Sequence, residues 1–145
     1  MDYLLKKFLP RIEFDSYEDF KANYTVNVPE NFNFGFDVVD AWAEEEPEKK
    51  ALVWCDEEDN EKIFTFTDIK RLSNKAANFF KSLGVKKGSV VMLILRRRWE
   101  YWICATALHK IGAVLIPGTL QLTKRTLSTG QRRPVCAIVC VNDPL

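Results

Sequence analysis

The chain has a single histidine, four cysteines and a formal net charge of only +1, and each scarcity removes a class of function. A zinc site built on a pair of histidines is excluded within the chain. Cys55, Cys104, Cys136 and Cys140 show no CxxC spacing, which removes the common dithiol redox and zinc motifs. The near-neutral charge offers no global attraction to nucleic acid or to an anionic membrane. No apolar run approaches about 18 residues, so no membrane-spanning helix is expected. The Walker-type phosphate loop, Gly-x-x-x-x-Gly-Lys followed by Ser or Thr, does not occur. There is no internal repeat and no low-complexity tract.

What is present suits one folded domain. With 145 residues and 47% hydrophobic side chains, the chain can bury a core of useful size. The pattern over Ser89 to Thr123 carries most of the information. Val90 to Leu95 is continuously apolar, as a strand buried on both faces of a parallel sheet would be. Trp99, Trp102, Ile103, Thr106 and Lys110 then fall at helical spacing, and Gly112 stands where a helix C-cap belongs. Ala113 to Ile116 makes a second short apolar strand, stopped by Pro117-Gly118. A β-α-β unit is therefore predicted, with a right-handed crossover. Ligands of open parallel sheets lie beyond the carboxyl ends of the strands, which is where Pro117 to Thr123 emerges.

The remaining segments read as supporting elements. Ser16 to Asn23 forms a short helix with Ser16 as cap and Asp19 at the box position, followed by a turn at Val28-Pro29. A helix over Phe36 to Glu46 places Phe36, Val39, Trp42 and Ala43 on one face, and Pro47 ends it. Ala51 to Cys55 and Lys62 to Phe66 pair as a peripheral antiparallel hairpin across a charged turn. Thr67 caps a helix through Leu83, with Ile69, Leu72, Ala76, Phe80 and Leu83 inward and Gly84 at its end. Residues 1 to 31 form a lead-in, and residues 32 to 145 form the α/β domain.

These residues resemble the amino-terminal part of the adenylate-forming enzymes, specifically the AMP-forming medium-chain acyl-CoA synthetases. The likeness rests on an apolar strand followed by Arg96 or Arg98, then Glu100-Tyr101-Trp102, Gly112 and the loop Pro117-Gly118-Thr119-Leu120-Gln121. It extends upstream through Phe32 to Trp54 and Thr65 to Val91. The fold expected is thus a partial amino-terminal adenylate-forming domain, a parallel β-α-β unit with a peripheral hairpin. The resemblance implies ligation of a carboxylic acid to CoA through an acyl-adenylate, with ATP, Mg and CoA as the partners of the full-length enzymes. It makes Gln121 a CoA contact, whose neutral amide can bond to pantetheine amides without the desolvation cost of a charge. Ordering of the turn after Pro117-Gly118 is the alternative role for Gln121. The family's phosphate loop, ribose-binding Asp and mobile carboxy-terminal domain with its Lys match nothing here. No catalytic residue and no metal ligand is assigned, tight binding of CoA or ATP is not expected, and the chain alone is expected to be inactive. A truncated product, a split-gene subunit, and a binding module docking on an intact synthetase all remain open, as does self-association.

Other candidates have plainer readings. His109, alone on an apolar helix, reads as a partly buried packing residue rather than a base. Glu44-Glu45-Glu46 and Asp56-Glu57-Glu58-Asp59 read as solvated faces, not metal sites. Of Arg96-Arg97-Arg98, at a helix start that disfavours cations, at least one is expected to find a carboxylate partner such as Glu100 and the run to support structure, with some of the neighbouring aromatic rings turned into the core rather than stacking on bases. All four cysteines read as buried reduced thiols. Lys6-Lys7 breaks the first apolar stretch, and Asp2, Glu13 and Asp15 do not suit an acid-poor transit peptide, so a cytoplasmic location is expected.

The run RTLSTGQRRP, Arg125 to Pro134, departs from the family, whose members have a helix of the form Lys-Asp-Ile-x-Tyr-Arg there. A family-like KDIVYR read one nucleotide out of phase yields Arg-Thr-Leu-Ser-Thr-Gly, the run at Arg125 to Gly130. A compensated frameshift accounts for this, and a loop rich in Ser, Thr, Gly and Pro is the alternative. The phase of the gene across this stretch decides between them. Stopping at Leu145 is also expected to leave the faces of Val90 to Leu95 and Val135 to Val141 partly uncovered.

Overall fold

The computed structural model describes residues 2–95, 97–119 and 121, with the backbone of Ala137–Cys140. The unusual run at Arg125 to Pro134 lies outside the described residues. The chain divides into two units, Met1–Phe32 and Asn33–Leu145.

In the first unit, helix α1 spans Asp2–Phe8, an element too short to be signalled by periodicity. Helix α2 spans Tyr17–Asn23, and Ser16 caps it, its hydroxyl oxygen accepting from the Asp19 N–H at 3.1 Å. The reciprocal half of a capping box does not form. The Asp19 carboxylate instead accepts from the Asp15 N–H and pairs with Arg11. The Asp15 N–H first, and the Arg11 guanidinium next, hold the Asp19 carboxyl below the usual carboxylate range. Phe14, Phe20 and Tyr24 gather beside it, with centroids 4.8–6.4 Å apart. The chain turns where the Phe32 N–H meets the Pro29 carbonyl at 3.0 Å.

The second unit begins with one turn type rarely used. Gly35–Asp40 is π-helical and runs directly into helix α3, Ala41–Glu45. Strands β1 (Lys50–Cys55) and β2 (Glu61–Thr65) pair antiparallel. Helix α4 covers Phe66–Ser82, strand β3 Val90–Ile94, helix α5 Glu100–Ile111 and strand β4 Val114–Pro117. Strand β5, Ala137–Cys140, completes a parallel sheet in the order β4-β3-β5. The predicted β-α-β unit is therefore β3-α5-β4. Both long helices close as Schellman turns, with Gly84 and Gly112 at φ of 84° and 75°, and N–H groups of Val85 and Ala113 reaching back to Phe80 and Leu108.

The core sits between this sheet and the helix pair. Val91 and Leu93 of β3 pack with Ala107 and Leu108 of α5 and with Ala77 and Phe80 of α4. A second cluster joins Val39, Ile69 and Ile103, with Phe64, Phe66 and Trp99 around it.

Four expectations need correction. Thr65, not Thr67, caps α4: its hydroxyl accepts from the Asp68 N–H while the Asp68 carboxylate accepts from the Thr65 N–H, a complete capping box. Thr67 lies two residues further on, within the first turn, and donates to the Pro47 carbonyl. The inward face of α4 keeps Ile69 and Phe80 buried and Leu72 and Ala76 partly buried against the core, with Ser73 and Ala77 buried beside them, and only Leu83 leaves the expected stripe, 59% exposed because the helix has already ended. Phe36 is exposed rather than inward, since the wider π turn brings Asp40 to the buried side beside Val39. Finally, β3 is not left uncovered: every residue from Val90 to Ile94 is buried, with Val91 and Leu93 packed under α4 and α5, whereas Leu95 is half-buried and the side chains of Val135 to Val141 lie outside the described residues.

Candidate functional site at the carboxyl ends of β3 and β4

An open groove of about 860 Å³ lies where β3 and β4 end. It is lined by the β1 segment Leu52 to Cys55. Leu95, Arg97, Arg98, Tyr101 and Trp102 line it as well, together with Gly118, Thr119 and Gln121. Its position follows from the sheet. The Gly118 N–H donates to the Leu93 carbonyl at 2.8 Å, extending the β3–β4 ladder past Pro117 and delivering the loop at the strand ends.

Thr119 sets the turn that follows. Its hydroxyl oxygen accepts from the Gln121 N–H at 3.3 Å, a threonine turn of the kind that substitutes a side chain for a backbone carbonyl. Gln121 itself is exposed. Among the described residues its side-chain amide has no hydrogen-bond partner, and its backbone alone takes part in the turn.

The arginine turn is held from two sides. The Trp54 indole N–H donates to the Arg97 carbonyl at 2.5 Å, tying the hairpin to the start of α5 across 43 residues of sequence. Arg98 pairs with Glu100 at 3.1 Å, the partner the sequence pointed to. Glu100 also lies in the first turn of α5, where a carboxylate complements the helix dipole. Arg97 is exposed, and no carboxylate lies among the described residues lining the groove.

The neighbouring rings part company. Trp99 turns inward against Phe64, with centroids 4.9 Å apart. Tyr101 is half-buried against the main core. Trp102 is the ring that stays outside: it is 56% exposed and lines the groove, because the buried face of α5 is taken by Ile103, Thr106, Ala107 and Lys110.

Other sequence candidates fall elsewhere. His109 is exposed rather than partly buried, its ring edge-on to Phe34 at 5.8 Å; it lies at the last turn of α5, away from the face that packs. Cys55 is exposed at the end of β1, contrary to the buried reading. Cys104 is half-buried, and burial, followed by the nearby Glu100 charge, pushes its thiol pKa up. The Asp56 carboxylate accepts from the N–H groups of Glu58 and Asn60 and from the Asn60 amide, which builds the turn. Among the described residues no group of acidic, histidine or cysteine side chains is arranged to hold a metal ion, and no helix is long and apolar enough to cross a membrane. Sequence reasoning missed Trp54 and the groove face of Trp102. No local pattern announces a bond that closes only when the hairpin folds onto the helix start.

Residues 39–136 match a family model described as AMP-binding enzyme. The chain belongs to that family. Among curated relatives of these AMP-binding enzymes, human "Acyl-coenzyme A synthetase ACSM3, mitochondrial" is 33% identical over 138 residues, which is 91% of this chain and 24% of the relative. The chain therefore spans about a quarter of the length of the curated relatives it matches. Among solved structures, a Mycobacterium tuberculosis fatty acyl CoA synthetase superimposes with a TM-score of 0.60 at 25% identity, covering 67% of this chain and 18% of the other. The N-terminal domain of FACL13 from the same organism gives 0.59 at 26%, covering 67% and 23%. The chain corresponds to an amino-terminal segment of an adenylate-forming fold.

Proposed function

We propose that this chain is the amino-terminal part of an AMP-forming acyl-CoA synthetase and that its share of the chemistry is to present the Gln121 loop to CoA. What supports the reading most directly is the division of labour in the loop. Thr119 orders the turn, so the Gln121 amide is left exposed at the groove. A primary amide there can donate to and accept from pantetheine amides, and no charge has to be stripped of water.

The reaction implied has two steps. A carboxylate oxygen attacks the α-phosphorus of ATP, releasing pyrophosphate and forming an acyl-adenylate. The CoA sulfur then attacks the acyl carbon and releases AMP. Transfer at phosphorus depends on placed cations and donors, and no residue of this chain is assigned to ATP, Mg or proton transfer. The chain by itself accordingly forms neither acyl-adenylate nor acyl-CoA, and completes a site only with downstream synthetase sequence. Free thiols at Cys55 and Cys104 suit any reducing compartment. We propose the cytoplasm as that compartment, whereas the human ACSM3 and rat ACSM5 relatives are named as mitochondrial; fractionation of cells expressing the protein decides.

The test of the functional reading is an assay of pyrophosphate release and thioester formation with ATP, CoA and short- to medium-chain acids. No turnover is expected from the purified chain. Turnover that survives purification and is lost on mutating this chain would overturn the proposal.

A further inference from the structure

Coenzyme A is chemically two-sided, and so is the groove. Pantetheine is neutral and rich in amides. The nucleotide half carries phosphates and an adenine ring. Gln121 matches the first half only. The rest of the groove offers what the second half needs: an exposed guanidinium at Arg97, an exposed indole at Trp102, and no carboxylate among the described lining residues to oppose an anion. Arg98 is neutralised by Glu100, so Arg97 is the cation best placed to act on a ligand. Its backbone is fixed by the Trp54 indole N–H at its carbonyl, which leaves the side chain, not the main chain, to adapt. A volume near 860 Å³ falls within the range of about 300–1,000 Å³ usual for small-molecule sites.

We propose that Arg97 binds phosphate of the adenosine-phosphate half of coenzyme A, with Trp102 beside it in the groove as a surface on which the adenine stacks. This rests on the assignment of the Gln121 loop to coenzyme A. It adds a second, electrostatic contact to the same molecule. No covalent step is involved. A guanidinium is suited to the task because it offers paired N–H donors to phosphate oxygens and keeps its charge at any working pH.

The experiment is ligand binding to the purified 145-residue chain, read by saturation-transfer NMR and tryptophan fluorescence, with CoA, 3′,5′-ADP, pantetheine and ATP as separate probes. Arg97→Gln should weaken CoA and 3′,5′-ADP about tenfold, the scale of one lost charged hydrogen bond, and leave pantetheine unchanged. Arg97→Lys should recover part of the loss, which a purely structural role would not give. Gln121→Ala should weaken CoA and pantetheine and spare 3′,5′-ADP. Circular dichroism of each variant confirms that it is folded. If the parent chain binds CoA and Arg97→Gln binds it equally well, the Arg97 assignment is overturned while the Gln121 reading stands. Weak binding is enough for saturation transfer; if the parent shows none with CoA or pantetheine even at millimolar ligand, both fall. Equal weakening of ATP and CoA would show a general nucleotide site and overturn the assignment to coenzyme A.

Discussion

Lys110 Nζ lies 2.6 Å from Asp40 Oδ1 with both side chains out of water, and the same ammonium donates to Asn74 Oδ1 at 2.8 Å. The pair joins α5 to the π-helical turn before α3, and Asn74 brings in α4. Space for the lysine stem explains Gly35: a Cβ built there would fall 2.5 Å from Lys110 Cγ. Asn33 ties the same corner, donating from its amide to the carbonyls of His109 and Lys110 at the end of α5 while its own oxygen accepts the Gly35 N–H. The end of α5 is thereby fixed opposite the groove at its start.

Removing one partner of a buried ion pair strands a charge. Asp40→Asn or Lys110→Met should each cost about 3–5 kcal/mol in urea denaturation, followed by circular dichroism at fixed protein concentration. The double change Asp40→Leu with Lys110→Met should recover most of that loss, since an apolar pair of similar volume replaces both charges. Additive losses would show that the two side chains do not act on each other.

Acid should loosen the start of α4. The Thr65 N–H, and next the Thr65 hydroxyl, hold the Asp68 carboxyl below its ordinary range. A depressed folded value means that its contribution is complete above the ordinary carboxylate pKa of about 3.9 and is lost as pH falls through the lowered value. Asp68→Asn should flatten the stability profile below about pH 4, with little change in its shape from pH 5 to about 7. Thr65→Ala should cost about 1 kcal/mol, and Thr67→Ala less, because Thr67 does not cap. Equal costs for the two threonines would contradict the assignment of the cap.

Thiol reactivity separates two cysteines. Cys55 is exposed, whereas Cys104 is half-buried with a thiol whose pKa is raised by burial. The thiolate is the reactive form. Iodoacetamide labelling near neutral pH, resolved by peptide mass spectrometry, should therefore modify Cys55 well before Cys104. Mild urea should close the gap. Faster labelling of Cys104 in the folded chain would contradict its packing.

Self-association should follow from an edge, not from an uncovered central strand. Strand β4 is hydrogen-bonded to β3 alone among the described strands, and Val114 on it is 44% exposed. Phe79 and Leu83 are 60% and 59% exposed on α4. An open strand edge with apolar side chains recruits other strands. Sedimentation velocity should show dimers or larger species that increase with concentration, and Val114→Lys should reduce them. A chain that stays monomeric throughout the concentration range would remove this prediction.

The β-α-β unit was legible because its two signals agree: an unbroken apolar run from Val90 to Leu95, then helical spacing closed by Gly112. The hairpin was legible in the same way from Ala51 to Phe66. What could not be read depends on distant partners. A capping box with Asp at its last position competes at Thr65 with an equally plausible Thr67, and only the bond from the Thr65 N–H to Asp68 decides. The π turn at Gly35–Asp40 shifts the phase of the next helix by a fraction of a turn, so Phe36 and Asp40 exchange sides. The Lys110–Asp40 pair spans 70 residues, and a lysine on an apolar helix face gives no sign of which carboxylate will meet it. In the groove, the Gln121 loop came from a resemblance of motifs, whereas Arg97 and Trp102 emerged only when Trp54 folded the hairpin onto the start of α5.

The central claim is that the Gln121 loop acts on CoA and not on ATP. The direct measurement is to let this chain replace the matching segment of the human ACSM3 relative and to follow the two half-reactions separately with and without Gln121→Ala. Thioester formation should lose about 1 to 2 kcal/mol of transition-state stabilisation, the scale of one neutral hydrogen bond with its partner left unpaired, while acyl-adenylate formation, read as pyrophosphate release without CoA, stays unchanged. Equal losses in both half-reactions would contradict the claim and reassign Gln121 to the folding of its loop.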